Sequence, residues 1–427
     1  MTPPRRVRLL IVADSDSYLK WGVTRALEAP PEWDVEVVVV RNAVTPSAAQ
    51  REAAVDGRLD DLPVIGYPEL VARLRTDEPD LLLLACRGPL IQLLLEETFA
   101  GTPPCRVAIA GIPGIWMPPT RLGLELRSAT DLIIVHSERE RKHVGALLPL
   151  GNLRATGLAS LISTDALASA PPRTVVFAPQ ALVPRTVGDR RQLLAGLVTA
   201  AYQHPELEFV IKLRGEEGEA QTHAEFASFP ELAAEVPEHR WPLNLGFGYG
   251  PLREHLPGCA GFVTVSSTAA LEAIAAGVPV LCLSDFGVDA KTINVVFEGS
   301  GLFGTLADLT RLDFRHPDPG WMRDNYFHGS DADDWVAAAT RLLGEAEGGA
   351  RPSYRAPRRG AVGIANRSRR RFEALGDEDF ALRRILGRTA RHATRSLRPL
   401  VRLLRRGRPA EATTLSTSNG TKGAPRG

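Results

Sequence analysis

Cysteine is scarce in this chain: four in 427 residues. Cys86, Cys105, Cys259 and Cys282 stand far apart, and no Cys-x-x-Cys occurs. That excludes a zinc knuckle and a disulfide framework, and leaves buried free thiols in a reducing compartment as the expectation. Lysine is also rare, so nearly all of the 51 basic residues are arginine. With 38 glycines, 33 prolines and abundant alanine, this points to a GC-rich, bacterial genome. No apolar run reaches the roughly eighteen residues of a membrane-spanning helix. The opening MTPPRRVRLLIVADSDS holds too short an apolar run for a signal-peptide core. A cytoplasmic protein is expected. Residues 1–165 lack Gly-x-Gly-x-x-Gly, so no dinucleotide is expected there.

The length suits two domains plus extra segments. Apolar residues make up 44% and charged residues 24%, the range of a soluble globular protein. A net charge of +1 hides an asymmetry. Residues 351–427 carry 20 Lys and Arg against 5 Asp and Glu; residues 1–350 carry 31 against 45.

From residue 7 to about 165, short unalternating apolar runs take turns with helical patterns. Such runs read as parallel strands covered on both faces. Residues 1–165 are therefore expected to form a Rossmann-like domain. Residues 166–172, Ala-Leu-Ala-Ser-Ala-Pro-Pro, read as a linker. The pattern restarts over 173–345, with the helix near 331–345 expected to close this second domain. In the first domain, Asp14 and Asp16 follow the first strand, where α/β proteins bind ligands. They would cap the next helix, contact an acceptor or act as a base. His136 ends another strand and is a further catalytic candidate. Gly111 to Trp116 is expected to line the cleft between domains.

Gly258 to Asp289 is the most informative stretch. It reads strand, polar turn Ser266-Ser267-Thr268, helix from Ala269 to Ala276, stop at Gly277, strand. Three hydroxyls beside a helix start suit an anion such as phosphate. Glu272, one turn deeper, can accept hydrogen bonds from ribose hydroxyls.

Ser-Ser-Thr followed by Glu-Ala-x-Ala-x-Gly-x-Pro-Val resembles the nucleotide-sugar site of GT-B glycosyltransferases, in particular bacterial capsule, sialic-acid and Kdo transferases. The whole also resembles an uncharacterised bacterial glycosyltransferase family. The resemblance covers roughly residues 7–345. It implies two Rossmann-like domains facing a central cleft, with acceptor on the first and donor on the second. It implies that Ser266, Ser267 and Thr268 meet the donor phosphate and Glu272 its ribose. In that group a strand ends in Lys-x-His-Pro; here Lys212-Leu213-Arg214-Gly215 stands in its place. Arg214 suits a phosphate through its fork of donors, but it cannot give up a proton as a general acid. The implied donor is a CMP- or UDP-linked sugar, and the implied acceptor a surface glycan or a lipid-linked one. No bound cofactor or metal is expected. A GT-B-shaped epimerase, a polyol-phosphate transferase and a non-catalytic scaffold are the alternatives.

Residues 346–371 are Gly-, Pro- and Arg-rich and are not expected to pack a core. Over 380–406, Leu and Ile alternate with Arg clusters at helical spacing, broken at Pro399. This basic amphipathic segment suits an anionic membrane surface and would place the protein at the inner face of the cell membrane. Docking on the acidic body is the alternative, and nucleic-acid binding is not expected. The last fifteen residues are expected to be disordered.

Overall fold

A computed structural model describes residues 5–59, 62–98, 104–162, 170–213, 227–347 and 361–379. Two wholly parallel sheets organise them. The first contains β1 (Arg8–Ala13), β2 (Asp34–Val40), β3 (Val64–Ile65), β4 (Leu81–Ala85), β5 (Val107–Gly111), β6 (Leu132–Val135) and β7 (Ala155–Leu158), in the order 3-2-1-4-5-6-7. The second contains β8 (Thr174–Phe177), β9 (Glu208–Lys212), β10 (Leu245–Gly248), β11 (Cys259–Thr264), β12 (Val280–Leu283) and β13 (Phe303–Gly304), in the order 10-9-8-11-12-13. The two-domain α/β architecture read from the sequence is the one observed.

The strands follow from their composition. Leu81-Leu82-Leu83-Leu84 is buried on both faces, so every position is apolar and none alternates. Ile11 pairs with Val37 on one side and Leu83 on the other, at the middle of the sheet. Two apolar layers cover the faces of the first sheet and two more the second. In each sheet the strand order reverses once, between β1 and β4 and between β8 and β11. At such points the loops leave in opposite directions and open a crevice at the strand ends.

Two segments correct the expectations. The helix Trp335–Glu347 does not close the second domain. Its stripe of Trp335, Ala339, Leu342 and Leu343 is buried against the first sheet. Periodicity identifies a stripe but not the sheet that receives it. Gly157 in β7 admits this helix: a Cβ there would stand 2.7 Å from the Trp335 Cα. Trp335 Nε1 then donates to Glu28 Oε2 at 2.9 Å.

The stretch 346–371, not expected to pack a core, leads into a helix, Ala361–Leu375, that lies on the helix Gly88–Thr98. Charge pairing holds it there. Arg370 meets Glu96 at 2.7 Å, and Arg367 and Arg371 meet Glu97 at 2.9 Å. Ala374 and Leu375 are buried at its end. The segment 380–406 lies outside the described residues. No helix among the described residues is long and apolar enough to cross a membrane.

Candidate nucleotide-sugar site

The strand ends of both sheets open onto one cleft of about 390 Å3. The first domain contributes Asp16, Ser17 and Lys20 after β1, and Pro113 and Gly114 after β5. The second contributes Ala178 and Pro179 after β8, Lys212 at the end of β9, and Ser267, Thr268 and Glu272 after β11.

The turn after β11 is fixed by Thr264. Its hydroxyl donates to the Ala178 carbonyl at 2.8 Å and accepts from the Ser267 N–H at 3.0 Å. That ties the polar turn to the end of β8, its neighbour across the crevice. Ser267 Oγ accepts from the Ala269 N–H at 3.3 Å, so this hydroxyl serves the helix start. The helix itself is short, Ala269–Ala275, and Gly277 follows it at φ +75°. Thr268 makes no side-chain cap and lines the cleft. Ser266 is buried, and its Oγ has no hydrogen-bond partner among the described residues.

Lys212 is nearly buried, and its Nζ donates to the Leu213 carbonyl at 2.5 Å. Its charge also acts on Glu272. Glu272 keeps an exposed side chain at the cleft; the desolvation it meets there pushes its carboxyl above the usual range, and the Lys212 ammonium pulls the other way. A cation, a carboxylate and two hydroxyls thus face the same space. This set can meet a phosphate and the hydroxyls of a ribose.

On the opposite wall the helix Asp16–Glu28 begins one residue earlier than a capping role for Asp16 would require. Ser15 is its N-cap, and Asp16 occupies the first turn. Lys20, one turn on, pairs with Asp16 Oδ2 at 2.9 Å. Asp16 Oδ1 is buried, with no partner among the described residues. Asp16 lines the cleft, and a carboxylate there can accept a hydrogen bond from a hydroxyl. Gly114, at φ +105°, brings its loop against Thr268: a Cβ there would lie 3.2 Å from Thr268 Cγ2. The two domains therefore touch along one side of the cleft.

A family model described as "Putative glycosyltransferase (DUF6716)" matches residues 9–342. The chain belongs to the DUF6716 family. A search of curated proteins finds none that matches it by sequence. Among solved structures, the S. aureus MnaA–UDP co-structure aligns over 81% of this chain and 97% of its own, at 11% identity and a TM-score of 0.50. UDP-GlcNAc 2-epimerase from Neisseria meningitidis, bound to UDP-GlcNAc, aligns over 80% and 99%, at 10% identity and 0.46. Arabidopsis thaliana UGT89C1 complexed with quercetin aligns over 80% and 94%, at 12% and 0.48. At this identity the MnaA likeness reports a shared fold alone, and the fold is GT-B.

Three candidates of this DUF6716 protein, Ser266, Asp14 and His136, are not among the residues that line the cleft. Asp14 is fully buried. Arg87 Nε donates to its Oδ2 at 2.9 Å, and the Arg87 N–H and Ser15 hydroxyl both donate to Oδ1 at 3.2 Å. Arg87 also reaches Asn42 Oδ1 and the Ala374 carbonyl, so the ion pair knits three strand ends to the C-terminal helix. His136 is buried too. Trp21 Nε1–H donates to its Nε2 at 2.9 Å, and its Nδ1 meets the Ala159 carbonyl at 2.7 Å. Both ring nitrogens are taken. Burial, with the Arg25 charge adding to it, lowers the imidazole pKa to about 3. A neutral ring so enclosed does not offer the cleft the direct role expected of this catalytic candidate. Arg214 lies outside the described residues.

Lys20 escaped the sequence reading. Its signal was its position four residues after Asp16, on one face of a helix. Only five of the 51 basic residues are lysine, and two of them, Lys20 and Lys212, line this cleft.

Proposed function

We propose that this protein transfers a sugar from a nucleotide-sugar donor to a hydroxyl of a glycan or lipid-linked acceptor. The observation that carries the reading is the cleft in which Lys212, Thr268 and Glu272 of one domain face Asp16 of the other. Lys212 and the turn hydroxyls would hold the donor phosphate, and Glu272 the ribose. Arg214, by the resemblance of its position, would add positive charge at the leaving phosphate. The acceptor oxygen attacks the anomeric carbon, the bond from that carbon to the phosphate oxygen breaks, and the nucleotide leaves with the electron pair. Asp16 takes the proton from the acceptor hydroxyl. Preorganised cations stabilise the departing phosphate without a bound metal, so EDTA should leave the rate unchanged.

UDP is the first nucleotide to try, since the MnaA structure of the same fold holds it; CMP is the second. The test is calorimetric titration with UDP, CMP, GDP and CDP. Binding of one nucleotide, weakened about 10- to 150-fold in Lys212→Ala through loss of a charged hydrogen bond worth roughly 1.5–3 kcal/mol, supports the reading. Binding of none would overturn it and favour a scaffold. The basic segment 380–406 is proposed to hold the enzyme at an anionic membrane face, near such an acceptor.

A further inference from the structure

Glu140 is an enclosed carboxylate of the first domain. It is buried to 1% exposure, in the first turn of the helix Glu138–Gly145. Its helix position is set by Ser137, whose Oγ accepts from the Glu140 N–H at 3.1 Å. The carboxylate accepts three hydrogen bonds from three different parts of the chain. The Trp116 N–H donates to Oε1 at 2.8 Å, the His136 N–H to Oε2 at 2.9 Å, and the Tyr326 hydroxyl to Oε1 at 2.6 Å.

These partners belong to different bodies. His136 ends β6 of the first sheet. Trp116 closes the loop after β5 that carries Pro113 and Gly114 into the cleft. Tyr326 lies on the returning chain and is packed in the apolar layer around Phe262, Leu271 and Ile274 of the second domain. The loop itself straddles the boundary: Trp116 packs with the first-domain layer around Ile133 and Val135, while Met117 packs with the Phe262 layer. Arg139, the neighbour of Glu140, reaches across as well, donating to the Val296 carbonyl at 3.1 Å. A loop split between two cores, with its last amide tied to a carboxylate that the second domain also holds, is a loop whose place depends on that carboxylate.

We infer that Glu140 is a positioning residue: with Tyr326 it latches the loop Gly111–Trp116, and so the cleft wall at Gly114, against Thr268 of the second domain. The inference rests on the proposed donor site for its effect on binding, but not for its effect on the loop. A carboxylate suits the post because all three partners are donors. Glu140→Gln turns one oxygen into an amide NH2, which must face one of these donors and break that contact. Tyr326→Phe removes only the hydroxyl and keeps the packed ring.

Tyr67 supplies a control with the same chemistry. It is also a buried tyrosine, with its hydroxyl on Glu97 at 2.8 Å, but on the far side of the first domain. Hydrogen–deuterium exchange on the full chain should show residues 112–117 exchanging at least tenfold faster in Tyr326→Phe and in Glu140→Gln, and unchanged in Tyr67→Phe. UDP, or whichever nucleotide the unmodified protein binds, should bind Tyr326→Phe about tenfold more weakly and Tyr67→Phe equally well. Unchanged exchange in Tyr326→Phe, or equal change in the Tyr67→Phe control, would overturn the latch. If the unmodified protein binds no nucleotide, the donor reading fails and loop exchange alone decides the latch. Should Glu140→Gln not fold, Tyr326→Phe carries the test by itself.

Discussion

Two aspartates two positions apart have opposite fates. Asp14 points into the sheet edge, where burial raises its carboxyl and the Arg87 guanidinium offsets the shift. Asp16 points into the cleft with one oxygen on Lys20 and one without a partner. Asp16→Asn should therefore abolish sugar transfer, by a hundredfold or more for loss of a general base, while nucleotide affinity in calorimetry stays within about twofold. Equal loss of binding would place Asp16 on the donor. His136 makes a different prediction. Its pKa is about 3 in the fold, below the 6.5 of an unperturbed imidazole. Between those values the unfolded chain binds a proton that the folded one refuses. Its neutral ring therefore favours the fold above pH 6.5, and this contribution is lost as pH falls toward 3. Urea titrations at pH 7, 5 and 4 should show His136→Asn with a shallower fall in stability than the unmodified protein. At pH 7 the variant should be weaker by about 1–3 kcal/mol, because Trp21 Nε1–H is left buried without its acceptor. Parallel pH curves would show that another group controls the acid limb.

Among elements, the helix Trp335–Glu347 connects the end of the second domain to the face of the first. Its docking depends on a glycine. Gly157→Ala would set a methyl group 2.7 Å from the Trp335 backbone, which cannot give way as a side-chain tip could. Overpacking of this kind should cost about 1–3 kcal/mol, measured as a lower urea midpoint with an unchanged slope. If stability is unchanged, the helix is free to shift on the sheet. The turn Thr264–Thr268 works at the same scale. Thr264 shares its hydroxyl between β8 and the turn, so the crevice between β8 and β11 holds its shape through a side chain that never enters it.

Across the whole molecule, charge is distributed unevenly. The acidic body already takes up part of the basic C-terminal region, through Arg367, Arg370 and Arg371 on Glu96 and Glu97. The arginines beyond Asp379 belong to the segment proposed to meet the membrane. Each basic side chain near an anionic surface contributes about 1 kcal/mol, and salt weakens the attraction. The full chain should co-sediment with phosphatidylserine-containing vesicles at low salt and be released at high salt. A chain ending at Asp379 should stay in solution and still bind nucleotide. Equal binding to neutral vesicles, or none to either, would sink the membrane proposal and favour docking on the body.

What the sequence determined by itself is local. Apolar runs without alternation specified buried parallel strands, and their alternation with helical stripes specified two Rossmann-like sheets. The order Ser266-Ser267-Thr268, then Glu272, then Gly277 marked a strand–turn–helix–stop unit, because capping, helix propensity and positive φ act within a few residues. Only the tertiary structure decided what lies across the cleft. It set Asp16 and Lys20 opposite Lys212 and Glu272, turned Asp14 and His136 inward, and gave the helix at Trp335 to the first sheet instead of the second. Those outcomes depend on groups one hundred to three hundred residues apart: Trp21 with His136, Glu28 with Trp335, Glu140 with Tyr326. No local pattern carries such pairings, since each partner alone reads as an ordinary helix or strand-end residue. They form when two sheets and a returning chain pack together.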